Sequence, residues 1–191
     1  MSRFSGRTLA VVVAVLVFGV GLVGCTGQGD RGSVLVIGDS LTVAATDQGL
    51  SRDGWDIDAQ DGRTTPEGIE VAENRDAGRY RSVIVALGTN DGDDEATYER
   101  RVDQMMKVLG PEPDVVWVNV DTHTPELASR RAVNQAIRAA TDRHRNLRLG
   151  DWDNYLTTVD GFDDMRAGDG VHYAREGSEV RARWTLGLGR D

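Results

Sequence analysis

Five short stretches of the chain carry the pattern of β-strands. Three are almost unbroken apolar runs: Val34-Leu35-Val36-Ile37, Val83-Ile84-Val85-Ala86-Leu87 and Val115-Val116-Trp117-Val118. They are rich in β-branched residues and bounded by turn residues, as strands buried on both faces of a parallel sheet are. Two further stretches, Trp55-Asp56-Ile57-Asp58-Ala59 and Leu147-Arg148-Leu149, alternate apolar and polar positions. Alternation suits half-exposed strands, which places these two at the sheet edges.

The segments between the strands repeat at helical spacing. Tyr98, Val102, Met105, Met106 and Leu109 form one stripe, stopped by Gly110-Pro111. The methionine pair belongs to that core-facing stripe. Val133, Ala136, Ile137 and Ala140 form a second. Thr124-Pro125 stands ahead of it in the order of a cap followed by proline and predicts the opening of that segment. A last helix is expected from about Glu176 to Leu186. Strand and helix thus alternate along the chain. This predicts a three-layer α/β/α sandwich with right-handed crossovers around a parallel five-stranded, flavodoxin-like sheet of order 2-1-3-4-5.

The start of the chain follows a different pattern. Arg3 and Arg7 precede an uninterrupted run of apolar and glycine residues from Leu9 to Gly24, followed by Cys25 and a polar stretch. A positive segment, an apolar segment of this length and a small residue before a boundary describe a secretory signal. The run is short for a spanning helix, which needs about 20 apolar residues; an N-terminal transmembrane anchor is the alternative. Leu22-Val23-Gly24-Cys25 resembles a bacterial lipobox. That resemblance implies a signal over 1–24, a lipidated Cys25, a tether over 25–32 and a domain over 33–191, held at the outer face of a membrane. Either way the domain is expected outside the cytoplasm.

Composition narrows the partners. The 191 residues carry a net charge of −9, and the first 24 hold two arginines and no acid, so the body is more acidic still. An acidic body argues against nucleic acid, whose phosphates need clustered cations. Cys25 is the single cysteine and forms no internal disulfide. The length suits one domain with a real core.

Candidate chemistry collects in the loops after the strands, where open α/β sheets place their functional groups. In chain order these are Gly38-Asp39-Ser40-Leu41, then Asp61-Gly62-Arg63-Thr64, then Gly88-Thr89-Asn90-Asp91, and, past a long loop, Asp169-Gly170-Val171-His172. Acyl transfer needs a nucleophile, a base, a group to orient it, and donors for the oxyanion. Ser40 at a strand-to-helix turn supplies a hydroxyl and a helix-start N–H. His172 accepts the hydroxyl proton, and Asp169, three residues earlier, takes the other ring N–H. Gly62 lets a backbone N–H approach a substrate closely, and Asn90 aims an amide donor at developing charge.

These blocks resemble those of the SGNH/GDSL hydrolases, which supply serine, glycine, asparagine and histidine in that order. The resemblance runs from Val34 to about Trp184. It implies a flavodoxin-like sandwich and esterase, lipase, deacetylase or acyltransferase activity without a cofactor. It also implies a catalytic triad of Ser40, Asp169 and His172 with an oxyanion hole formed by Ser40, Gly62 and Asn90. The Asp151-Trp152-Asp153-Asn154-Tyr155 stretch and the Asp169–Tyr173 block further resemble extracytoplasmic SGNH domains of some cell-wall acyl-transfer proteins.

Other residues read more plainly. His123 is expected to be a loop residue. His144, among Arg143 and Arg145 near a helix end, suits the helix dipole. The acids Asp91, Asp93, Asp94 and Glu95 lack a calcium-loop spacing and fit a helix start, so no metal is expected. The Gly-x-Ser-x-Gly elbow of the α/β-hydrolases and a glycine-rich dinucleotide fingerprint are both missing from the sequence.

The expected reaction is hydrolysis or transfer of an ester-linked acyl group on a small molecule or glycan, with Ser40 attacking and His172 as base. Protonation of that base predicts loss of activity below about pH 5–6. A glycan O-acyltransferase uses the same residues. A silent surface lipoprotein that binds glycan or a protein partner is the alternative of a different class.

Overall fold

A computed structural model of the protein describes Met1 and residues 33–189. The signal segment, Cys25 and the tether lie outside the described residues. Five strands form one parallel sheet: β1 (Val34–Gly38), β2 (Trp55–Ala59), β3 (Ser82–Ala86), β4 (Asp114–Val118) and β5 (Leu147–Gly150), in the order β2-β1-β3-β4-β5. The helices are α1 (Ser40–Asp47), α2 (Thr65–Asn74), α3 (Glu95–Leu109), α4 (Arg131–Arg143), α5 (Trp152–Leu156) and α6 (Arg175–Leu188). No helix among the described residues is long and apolar enough to cross a membrane.

The apolar runs become the central strands because each buries both faces. Side chains alternate along a strand, so Leu35, Ile37, Val83, Val85, Val115 and Trp117 face one layer. There they meet Ile69 of α2, Tyr98, Val102 and Met105 of α3, and Ile137 of α4. Val34, Val36, Ile84, Val116 and Val118 face the other layer, packing with Leu41 of α1, Trp152 and Leu156 of α5, and Val180 of α6. The methionine pair is core, as its stripe predicts: Met105 and Met106 are both buried.

β2 and β5 are the edges, as their alternation predicts. The acids of β2 are not merely solvated. Asp56 accepts the Tyr80 hydroxyl at 2.6 Å, and Asp58 pairs with both Arg63 (2.7 Å) and Arg75 (2.6 Å).

The start of α4 departs from the sequence reading. Thr124-Pro125 does not open the helix, which begins at Arg131 after a 3-10 turn over Ala128–Arg130. Thr124 instead donates its hydroxyl to the Gly170 carbonyl at 2.7 Å. A threonine before proline serves a loop as readily as a cap, and here the tertiary bond takes the hydroxyl. α5 is a further departure: Asp151–Tyr155 lies at a short helix that no periodicity announces.

Sheet register sets the position of the functional loops. Gly38 pairs with Ala59 on one side and Ala86 on the other, so β1, β2 and β3 end level. Ser40, Gly62 and Asn90 follow these ends by only a few residues and emerge at one edge of the sheet.

Candidate active site

The turn from β1 into α1 is built around Gly38 and Asp39. A Cβ on Gly38 would stand 2.1 Å from the Thr42 hydroxyl oxygen, so the strand enters the helix this tightly only with glycine there. Asp39 caps α1, its carboxylate accepting the Leu41 N–H at 3.0 Å. Ser40 is the first helical residue. Its backbone N–H falls among those with no intrahelical acceptor, and its side chain is half-buried at the cleft.

Ser40 and His172, 132 residues apart, meet here: Oγ lies 3.0 Å from Nε2. On the other side of the ring, Nδ1 lies 2.6 Å from Asp169 Oδ2. The carboxylate selects the tautomer with its proton on Nδ1, which leaves Nε2 free to accept from Ser40. The other Asp169 oxygen, Oδ1, accepts the N–H groups of Val171 and His172, each at 2.9 Å. Asp169 therefore shapes the loop and orients the base together. Hydrogen bonds from the His172 N–H, its ring and the Val171 N–H hold the Asp169 carboxyl well below the usual carboxylate range.

Gly62 and Asn90 join Ser40 and His172 around a cleft of about 630 Å³, completed by Val43, Ala44, Asp47 and Asp61. Gly62 takes φ 72°, a conformation glycine adopts without penalty. The Asn90 amide donates to the Arg63 carbonyl at 3.1 Å, which fixes its plane and leaves its second N–H for another acceptor. Arg63 is buried, donating to the carbonyls of Gly38 (3.2 Å) and Asp58 (2.6 Å) as well as to the Asp58 carboxylate. Burial raises the Asp58 carboxyl, but its bonds from Arg63 and Arg75 outweigh this and hold it low. The buried Asp91 carboxylate accepts the Thr65 N–H (3.0 Å) and hydroxyl (2.8 Å) and pairs with Arg101 at 2.6 Å. It thus ties the Asn90 loop to the helix that follows Gly62.

Five residues proposed from the sequence, Ser40, Gly62, Asn90, Asp169 and His172, are thus brought to one site. Cys25 lies outside the described residues. The supporting charges were not visible in the sequence. Asp91 read as part of an acidic helix start, a role that Asp94 fills by capping α3 through the Thr97 N–H. Asp121, also fully buried, pairs with Arg166 and accepts the Tyr173 hydroxyl at 3.2 Å. Trp152 donates its ring N–H at 2.8 Å to Tyr173, the residue that follows His172 in the chain.

His123 does not line the Ser40 cleft. It borders a separate hollow of about 360 Å³ with Leu156, Phe162 and Arg166. Its Nδ1 lies 3.1 Å from Asp121 and 3.4 Å from Asp153. These three residues stand close enough to share a cation. Their carboxylates are, however, already used by Arg166, Thr122 and His123. His144 caps α4 and meets Asp103 at 2.7 Å, a partner beyond the helix dipole.

No family model matches the sequence, and no curated protein matches it. Solved structures do match the fold. The C-terminal catalytic domain of peptidoglycan O-acetyltransferase A from Streptococcus pneumoniae, with a methylsulfonyl adduct, superposes with a TM-score of 0.67 at 20% identity, over 82% of this chain and 92% of that one. A member of the lipolytic protein G-D-S-L family from Veillonella parvula gives 0.64 at 18% identity, over 82% and 97%. An acetylxylan esterase from Geobacillus stearothermophilus gives 0.62 at 15% identity, over 84% and 96%. The chain therefore has the fold shared by these SGNH/GDSL-type hydrolases, with the strand order expected from its sequence.

Proposed function

We propose that this protein is an SGNH-type serine esterase or deacetylase that acts on ester-linked acyl groups of a small molecule or glycan. One observation carries the reading: the unbroken chain of contacts from Ser40 Oγ through His172 to Asp169, at 3.0 and 2.6 Å. A plain helix-start serine needs no histidine, and a loop histidine needs no carboxylate on its far nitrogen.

The reaction proceeds in two steps. As Ser40 Oγ attacks the acyl carbon, its proton passes to His172 Nε2, and the carbonyl π pair moves to oxygen. The Ser40 and Gly62 N–H groups and the Asn90 amide stabilise that oxyanion. The tetrahedral centre collapses, the C–O bond to the leaving alcohol breaks, and His172 returns the proton to that alcohol. Water then repeats the sequence on the acyl-serine, releasing the carboxylic acid and free Ser40.

Two features bear on the acyl group and on what accepts it. The cleft is open, and its walls include the acids Asp47 and Asp61 beside the small residues Val43 and Ala44. Such a groove offers no long apolar channel for a lipid chain. The side chains of His172 and Asp169 are also 42% and 52% exposed, so water has access to the acyl-serine. That favours hydrolysis. The transferase reading draws support from the likeness to the pneumococcal O-acetyltransferase domain. We place the enzyme outside the cytoplasm, lipid-anchored through Cys25 at the outer face of the cell membrane, on the strength of the lipobox-like segment.

The test is product analysis of the full chain with an O-acetylated oligosaccharide and a free acceptor sugar. Acetate release matching ester loss supports the esterase. Acetyl transfer to the acceptor without acetate supports the transferase. Neither product, from a folded chain that also leaves p-nitrophenyl acetate intact, refutes both and leaves a binding lipoprotein.

A further inference from the structure

Asp39 and Tyr173 each stand one residue from a member of the Ser40–His172 pair, and both side chains are buried, 2% and 6% exposed. Arg181 of α6 shares an internal cavity with Asp39 and packs on Trp152, the ring that donates to Tyr173. It is only 4% exposed, its guanidinium carbon sits 4.6 Å from the Trp152 ring and 5.4 Å from that of Trp184, and its Nη1 has no hydrogen-bond partner among the described residues. A buried cation with an idle donor is costly and needs a reason to be there. Arg181 helps line an internal cavity of about 10 Å³ with Asp39, Thr89, Asn119, Asp121 and Trp152, near the smallest volume that admits one water.

The two carboxylates at this cavity are differently placed. Asp121 has Arg166 as its own cation. Among the described residues Asp39 has none at contact: its carboxylate accepts the Leu41 N–H and shares the cavity with Thr89 and with Arg181 of α6. Burial pushes the Asp39 carboxyl up, and the charge of Arg181 opposes that. The same guanidinium rests on Trp152, which holds Tyr173, whose hydroxyl donates in turn to Asp121.

We propose that Arg181 is a positioning residue for the Ser40–His172 pair. A single buried cation steadies the nucleophile's turn through Asp39 and the base's loop through Trp152, Tyr173 and Asp121. The proposal rests on the catalytic reading of Ser40 and His172. It explains why the fold retains an incompletely paired charge beneath the site.

The experiment uses the full-length chain in detergent micelles. It compares wild type, Arg181→Met, Arg181→Lys and Asp39→Asn by kcat and KM on p-nitrophenyl acetate, by fluorophosphonate labelling rate and by thermal melting. Misplacing a reacting group by about 1 Å costs about a hundredfold, so Arg181→Met is expected to lose that much in kcat and labelling rate with KM unchanged. Arg181→Lys, which keeps the charge, recovers at least about tenfold of the loss. A folded Arg181→Met with kcat within about threefold of wild type overturns the proposal, as does a loss that lysine does not restore. Should Arg181→Met fail to fold, Asp39→Asn decides. Its asparagine still caps α1, so a folded protein with kcat down more than about threefold at unchanged KM supports the proposal, and a smaller loss overturns it. A wild type that neither labels nor turns over overturns the catalytic reading and this proposal with it; an active wild type beside an indifferent Arg181→Met overturns the proposal alone.

Discussion

Replacing Asp169 by asparagine separates the two jobs this carboxylate performs. Its Oδ1 accepts the Val171 and His172 N–H groups, and its Oδ2 accepts the ring N–H of His172. Asparagine keeps a carbonyl oxygen for the first job, so the loop retains its shape. Its amide nitrogen takes the place of Oδ2 and presents a donor to Nδ1. The ring proton moves to Nε2, where it faces Ser40 Oγ at 3.0 Å and can no longer receive the hydroxyl proton. In a buried protease triad the equivalent change costs about 10⁴ in kcat, mainly through the wrong tautomer. Here the carboxylate is 52% exposed, so solvent already screens part of its field. The expected loss is therefore about 10²–10³ in kcat, or about 3–4 kcal/mol at 1.36 kcal/mol per factor of ten. KM on a p-nitrophenyl ester should stay unchanged, and the melting temperature should hardly move. An Asp169→Asn enzyme with more than about a third of the wild-type kcat would refute the orienting role.

Other outcomes follow from the same geometry. Asn90→Ala removes an oxyanion donor and should lower kcat by about 10²–10³ with little change in KM, read by steady-state kinetics. Gly62→Ala meets no atom within 4 Å, so its penalty comes from φ alone; about 1–2 kcal/mol of stability should be lost in urea unfolding. Arg63→Met leaves Asp58 and two carbonyls short of a buried donor and should cost about 3 kcal/mol or more by the same assay. The pH dependence of stability has two opposing parts. Asp58 and Asp121 have lowered values, Asp121 because its bonds from Arg166 and the His123 N–H outweigh burial. Their contribution is complete above the unfolded carboxylate value of about 3.9 and is lost as pH falls through their lower folded values. Asp39 is raised by burial, so its contribution weakens as pH climbs from about 3.9 through its folded value. Urea midpoints measured across acid pH should fall steeply below about pH 4, and Asp58→Asn should flatten that fall.

The sheet was legible because buried strands have a local signature. Val34–Ile37 and its two counterparts have nowhere to go but a core. The edge strands showed themselves by alternation, and the strand order followed from which strands were edges. The residues around the cleft were legible because each stands within a few positions of a strand end. What the sequence did not reveal is long-range. Thr124-Pro125 resembles a helix start, and only the partner 46 residues away, the Gly170 carbonyl, makes it a loop anchor. Asp39, Asp91, Asp121 and Arg181 are charged and would be taken for surface, yet all are buried. Their burial depends on partners from different loops and helices, which no periodicity reports. The one local hint was Asp39, an acid wedged between the buried strand β1 and Ser40.

The proposed chemistry makes Ser40 a nucleophile activated by His172. It is tested most directly by treating the full-length protein with a fluorophosphonate probe and mapping the adduct by peptide mass spectrometry. One adduct is expected, on Ser40, formed quickly by wild type, absent from Ser40→Ala and slowed by at least about a hundredfold in His172→Ala. A folded wild type that stays unlabelled, or an adduct on any other residue, would contradict it.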